Sequence, residues 1–86
     1  LSRRVDLLVL KSLRAKVAAY LISEAARAHS LTFSIPFSRI QLADYLNCDR
    51  SALSRELSTM QREGLIDTYR SSFKLLEPDA LQQMVQ

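Results

Sequence analysis

The sequence predicts a single small domain of the α+β class, mainly helical with a small β element. Three observations favour this fold. Apolar residues recur at helical spacing over most of the chain, two short segments near its end have the composition of strands, and one Gly and two Pro leave little room for irregular loops. With 86 residues, 48% of them hydrophobic, the chain can build one modest core. A net charge of +3 permits a polyanionic partner without requiring one.

The first predicted element is a long helix over residues 2 to about 28, in which apolar residues recur three and four positions apart. Near residues 7–10 it is apolar over much of its circumference, so it needs cover on more than one side. We expect residues 1–30 to form a long N-terminal helix that leads into the domain, and residues 31–86 to form the unit that carries its binding surface. Residues 31–35 alternate and predict a short strand. Pro36 closes it, because proline has no N–H for a ladder bond.

A short helix and a tight corner follow. Ser38 is a strong N-cap, and Gln41 stands three residues later as in a capping box, so we expect a helix over Arg39–Leu46. Its apolar residues should be buried in some combination: Ile40, Leu42, Ala43 and Leu46. Asn47 tolerates a left-handed backbone better than most residues and is predicted to end the helix.

The next helix is strongly two-sided. Asp49 should cap its start and Gly64 should end it. One side carries Leu53, Leu57 and Met60, and the other carries Ser51, Ser54, Arg55, Ser58 and Arg62. Glu56 and Glu63 fall on a flank away from this Ser/Arg side. A helix with a hydroxyl and guanidinium face after a tight corner is how a protein presents a helix to the major groove of DNA.

The chain then predicts a hairpin and a last helix. Residues 65–69 and 73–76 read as two strands around Arg70, Ser71 and Ser72, although this turn lacks the usual Gly. Residues 77–84 should form the final helix, with Pro78 in the first turn where proline is favoured.

Two motifs carry a resemblance to a known family. Residues 38–46 read Ser-Arg-x-x-Leu-Ala-x-Tyr-Leu, and residues 49–57 read Asp-Arg-x-x-Leu-Ser-Arg-x-Leu. Together they resemble the C-terminal domain of the Crp/Fnr transcription regulators. Residues 14–21 look like the helix that precedes the reading unit in that domain, and residues 61–66 are similar to its passage into the wing. The resemblance covers nearly the whole chain.

The resemblance implies a winged helix-turn-helix that binds double-stranded DNA at a palindromic operator. It implies base-reading roles for Arg50, Ser51 and Arg55. Phosphate contacts would come from Ser38, Arg39, Ser54, Ser58 and the wing residues Arg70 and Lys74. Many members carry Glu where Ser51 stands, and that acid reads a cytosine amine, so the usual operators do not transfer to this chain.

The resemblance also implies a longer, homodimeric and cytoplasmic parent whose N-terminal sensor lies outside this chain. No cofactor is expected within residues 1–86, and the effector of the sensor stays open: a cyclic nucleotide, haem, an iron–sulfur cluster or another molecule. RNA polymerase is a further possible partner. We expect no membrane association, because charged residues interrupt the longest apolar runs.

Other function classes are disfavoured. The lone Cys48 fits a reducing compartment and should be a small residue packed at the corner. His29 stands alone, without a second residue at ligand spacing, so we expect no metal site. No nucleophile, base and orienting group form a recognisable set, so we do not expect an enzyme. The aromatic residues Tyr20, Phe33, Phe37 and Tyr45 are expected in the core.

An alternative function stays open, a winged-helix module that binds protein without binding DNA. The small net charge and the widely apolar first helix motivate it. Under this interpretation Arg50 and Arg55 would be ordinary solvated arginines, and Arg70 and Lys74 would only protect the edge of the hairpin.

Overall fold

The long predicted helix is present within the residues that the structure describes. The computed structural model describes residues 12–85, and helix α1 spans Leu13–Ala28. The part of the predicted helix over residues 2–11 lies outside the described residues. The helix α1 ends at His29, which adopts the left-handed conformation with φ 54°. The buried side of α1 consists of Ala15, Val17, Ala18, Leu21 and Ala25.

Helices α2 (Arg39–Leu46) and α3 (Arg50–Arg62) form the predicted helix–corner–helix. The capping box at the start of α2 is confirmed in both directions. Asn47 has φ 60° and ψ 53°, so the corner uses the left-handed backbone that its residue type predicted. Asp49 is the N-cap residue of α3, but its side chain makes no capping hydrogen bond, so the predicted side-chain cap is wrong.

Two apolar residues of α2 are not in the core. Ile40 and Tyr45 are each 63% exposed, whereas Leu42, Ala43 and Leu46 are buried. Ile40 was one of four residues expected to be buried in some combination, and the structure buries the other three because α2 has only two turns and buries one narrow side. Tyr45 instead lies against the half-buried rings of Tyr20 and Phe37, each with its centroid 5.4 Å away. Of the four aromatic residues expected in the core, Phe33 is buried, Tyr20 and Phe37 are half-buried against the core, and Tyr45 is exposed, so the prediction is wrong for Tyr45.

Three short strands form an antiparallel sheet in the order β1–β3–β2. They are β1 (Thr32–Ser34), β2 (Ile66–Tyr69) and β3 (Ser72–Leu75). Sequence reasoning predicted the hairpin of β2 and β3 but not that β1 would pair with β3. The hairpin loop has two residues, because Tyr69 pairs with Ser72, which belongs to a strand and not to the turn. Arg70 has φ 56° there, at a position where glycine is usual.

The C-terminal helix α4 (Pro78–Gln83) closes the fold against α1, with Leu81 fully buried. It ends one residue before the predicted Met84. The largest fully buried side chains come from all parts of the described chain: Val17, Leu21, Leu42, Leu53, Met60, Ile66, Phe73 and Leu81. One shared core therefore fixes α3 against α1 and the sheet, and it leaves the opposite side of α3 in solvent.

Candidate nucleic-acid interface

The outward side of α3 carries a polar surface. It consists of Arg50, Ser51, Ser54, Arg55 and Ser58, all exposed, which we call the reader face. Within residues 12–85, none of these five side chains makes a hydrogen bond or an ion pair. Hydroxyl groups donate and accept, and a guanidinium group offers five donors in a planar fork. Such a set suits the edges of bases and the oxygens of phosphates.

The burial of the inward side of α3 leaves the reader face in solvent. Leu53 and Met60 are completely buried and Leu57 is 4% exposed. They recur at positions i, i+4 and i+7, so burying them turns the serine and arginine side chains toward solvent. The Schellman pattern at the C-terminal end of α3 adds a fixed exit. Gly64 (φ 80°) donates to the carbonyl of Gln61 and Leu65 donates to that of Met60.

Arg50 is the first residue of α3, directly after the corner. The N-terminal end of a helix carries a partial positive charge from its unpaired N–H groups, which adds to the charge of this guanidinium. Asp49 stands next to it with an exposed carboxylate and no capping bond. The N-terminal end of α3 therefore presents both a cation and an acceptor.

The acids of α3 lie away from the reader face and are paired. Glu56 of α3 and its C-cap residue Glu63, which we call the acid flank, both bind Arg14 of α1. The Nε of Arg14 donates to Oε2 of Glu56 at 2.7 Å, and its Nη1 donates to Oε1 of Glu63 at 2.8 Å. These hydrogen bonds from Arg14 hold the pKa of Glu63 below its ordinary value and raise that of Arg14. Sequence reasoning separated the acids from the reader face but missed Arg14, which is 42 and 49 residues away along the chain.

Two of the residues predicted to contact phosphate, Ser38 and Arg39, lie at the start of α2. The Oγ of Ser38 accepts a hydrogen bond from the N–H of Gln41 at 3.2 Å, which leaves its hydroxyl proton to donate elsewhere. Arg39 packs against the sheet: its guanidinium carbon lies 5.1 Å from the ring centre of Phe73, and Nη2 donates to Oγ1 of Thr68 at 3.3 Å. Burial lowers the pKa of Arg39. This packing against the sheet was not predicted.

The two predicted phosphate contacts of the hairpin lie in different places. Arg70 is at the tip, with its guanidinium carbon 5.3 Å from the ring centre of Tyr69, which is 70% exposed. Lys74 is exposed in the middle of β3 and pairs in register with Thr32 and Asp67. Side chains alternate along a strand, so Lys74 leaves the sheet on the side opposite Phe73 and the core. No contact in the described chain joins either cation to the reader face.

The same residues offer little for other chemistries. Between residues 12 and 85, no group of three or more His, Cys, Asp or Glu side chains is placed to hold a metal ion. No helix in that range is both long and apolar enough to cross a membrane. Cys48 is half-buried against the core at the corner.

Comparisons with known proteins agree with this geometry. A family model described as a Crp-like helix-turn-helix domain matches residues 15–84. A search of curated proteins finds no match. Among solved structures, the chain is similar to a putative transcriptional regulator of the Crp/Fnr family from Eubacterium rectale, with 26% identity, a TM-score of 0.75, and coverage of 86% of this chain and 33% of that one. It is also similar to a CRP-family transcriptional regulator of Thermus thermophilus, with 27% identity, a TM-score of 0.69, and coverage of 95% and 45%.

The structure of FixK2 from Bradyrhizobium japonicum shares the fold at 23% identity, with a TM-score of 0.80 and coverage of 96% of this chain and 44% of that one. The chain thus spans less than half the length of each of these structures. The family model covers most of the chain and includes α1, the corner, α3 and the sheet. The chain therefore belongs to the Crp-like helix-turn-helix domains, the DNA-binding domains of Crp/Fnr transcription regulators.

Proposed function

We propose that the domain reads DNA sequence by placing the N-terminal half of α3 in the major groove. The observation that carries this proposal is the reader face, five exposed polar side chains that follow the corner and have no partner within residues 12–85. Arg50, Ser51 and Arg55 would meet the edges of bases. An arginine can bind O6 and N7 of guanine with two N–H groups, whereas Ser51 offers a single hydroxyl.

The proposed phosphate contacts surround this centre. Ser54 and Ser58 lie on the same side of α3, and Ser38 and Arg39 lie at the start of α2. Arg39 has N–H groups beyond the one bound to Thr68, so it can hold the sheet and a phosphate together. Arg70 and Lys74 would reach the backbone from the hairpin, outside the major groove.

The parent protein is proposed to be a cytoplasmic homodimeric regulator that binds a roughly palindromic operator. Two copies of α3 would then enter grooves about one helical turn of DNA apart. Two of the similar structures are described as transcriptional regulators of the Crp/Fnr and CRP families, which supports this proposal. The proposed parent also has an effector-sensing domain and contacts RNA polymerase.

The test is a selection of bound duplexes from random DNA, followed by affinity measurements on the selected duplex and on a scrambled one. We expect Arg55→Ala to cost about 1–3 kcal/mol of discrimination on the selected duplex and to flatten the preference at one base pair. Arg27→Ala is the matched control, because Arg27 is an exposed arginine on α1, outside the proposed contacts. An equal loss on both duplexes for Arg55→Ala would show that this side chain does not read bases.

A module that binds protein is the second candidate. The observation that favours it is the exposed apolar surface of α2, where Ile40 and Tyr45 are each 63% exposed. A titration with mixed duplex DNA at low and high salt separates the two candidates. Binding that weakens as salt rises supports the DNA-binding function, and the absence of any such binding supports the second candidate.

A further inference from the structure

We infer that Arg14 is a positioning residue for DNA recognition. By binding both acids of the acid flank, it sets the rotation of α3 about its axis and therefore the direction of the reader face. The inference rests on the proposed function, because it concerns the angle at which the reader face meets a duplex. Arg14 itself lies on α1, outside the proposed DNA contacts.

The geometry of the contact is directional. Three N–H groups of Arg14 are used: Nε to Glu56 at 2.7 Å, Nη1 to Glu63 at 2.8 Å and Nη2 to Glu63 at 3.2 Å. The two acids are seven residues apart, so they stand on one line along α3, two turns from each other. At about 100° per residue, this line lies roughly opposite Ser54 of the reader face. The rigid, planar guanidinium of Arg14 therefore binds α3 on the side opposite Ser54, at two points along the helix axis.

The apolar contacts of α3 do not supply this direction by themselves. Burial of Leu53, Leu57 and Met60 is favourable for any orientation that keeps them from water, because the hydrophobic effect has no preferred direction. A rotation of α3 by a small angle would keep these side chains buried while it broke the paired hydrogen bonds to Glu63. Arg14 thus selects one orientation from a range that the core would accept.

The contribution of the ion pairs to stability should be small. The side chains of Arg14, Glu56 and Glu63 are 30%, 22% and 47% exposed, so solvent screens their attraction. The effect should appear in the ratio of specific to non-specific DNA affinity, because base contacts need a set angle and diffuse attraction to phosphates does not.

A second explanation makes the opposite prediction, which allows a decisive test. If Arg14 only neutralised the acids, then Glu56→Gln/Glu63→Gln would strengthen binding to every duplex equally, because two negative charges would leave a helix that approaches a polyanion. If Arg14 positions α3, the same double substitution strengthens non-specific binding but lowers the ratio of specific to non-specific affinity.

The experiment measures the affinity of the 86-residue chain for the selected and the scrambled duplex at one salt concentration. We expect Arg14→Met and Glu56→Gln/Glu63→Gln each to lower the affinity ratio by about tenfold. Arg27→Met is the matched control. It removes the same charge from the same helix, and its partner Glu24 belongs to α1 as well, so the ratio should not change.

Arg14→Lys tests the geometry at constant charge. An ammonium group cannot reproduce the planar fork, so the ratio should lie between those of the unaltered chain and Arg14→Met. Thermal unfolding checks that each variant folds, and if Arg14→Met does not, the lysine and double glutamine variants decide. An unchanged ratio in these variants overturns the inference alone. A failure of the unaltered chain to distinguish the two duplexes overturns the proposed function, and the inference with it.

Discussion

Two groups of polar side chains on α3 differ in their partners. The five residues of the reader face make no hydrogen bond or ion pair within residues 12–85, whereas Glu56 and Glu63 of the acid flank both bind Arg14. Exposed polar groups are common, so the reader face alone would mean little. Both groups belong to α3 or to its C-cap residue. The difference therefore indicates which polar groups serve the fold and which are available to a ligand.

The largest effect should come from the packed side. Leu53 is completely buried, so Leu53→Ala should cost about 2–5 kcal/mol of the free energy of unfolding. The neighbouring Ser54→Ala, on the reader face, should change it by no more than about 0.5 kcal/mol. Chemical denaturation of both variants measures this contrast. Similar losses at the two positions would mean that the reader face takes part in holding the fold.

Arg39 both packs in the fold and is proposed to contact DNA, so it sharpens the comparison. Arg39→Ala should reduce the dependence of log affinity on log salt by about one unit for any duplex. It should also lower stability by about 0.5–2 kcal/mol, because the stacking on Phe73 is lost. Arg39→Lys should keep the salt dependence and lose part of the stability. A slope that Arg39→Ala leaves unaltered would contradict the phosphate contact.

The residues that end α2 and α3 allow a smaller test that should leave DNA affinity unchanged. Asn47 and Gly64 both have positive φ, 60° and 80°. A Cβ at Gly64 would meet no atom within 4 Å, so Gly64→Ala should cost about 1 kcal/mol through backbone strain alone. Asn47→Gly should be nearly neutral, because glycine accepts this conformation freely. A large loss for Asn47→Gly in thermal unfolding would show that the asparagine side chain has a further role.

The smallest effect concerns pH. Hydrogen bonds from Arg14 place the pKa of Glu63 below its ordinary value of 4.5 in the folded state. Its contribution is therefore present above the unfolded-state pKa and is lost as pH falls through the folded-state pKa. Glu63→Gln should make the acid limb of the melting temperature slightly shallower as pH falls below about 4.5. An identical limb in both proteins would mean that this ion pair does not stabilise the folded state.

Local features of the chain were predictable from residue types. The capping box at Ser38, the left-handed Asn47 and the end of α3 at Gly64 each depend on interactions within a few residues. The two sides of α3 followed from periodicity, because its apolar residues keep one spacing over the whole helix. The boundaries of the strands differed by no more than one residue at each end, as short elements allow.

Long-range contacts were not predictable in this way. The pairing of β1 with β3 and the binding of Arg14 to the acid flank join residues about 40 or more positions apart, and nothing in the local sequence specifies such partners. Ile40 and Tyr45 show a related limit. Periodicity gives the relative orientation of side chains on α2, but the number of buried positions depends on what packs against it.

The strand order has a consequence for the synthesis of the chain. The middle strand of the sheet, β3, is the last of the three to be made, and its partners β1 and β2 lie on either side of it. Thr32 therefore cannot pair until Lys74 has been synthesised, and Ile66 cannot pair until Leu75 has been synthesised. A chain whose synthesis stops before Ser72 would lack both strand pairings. Such a product would lack the middle strand of the sheet, so the synthesis of Ser72–Leu75 decides whether the nascent sheet can form.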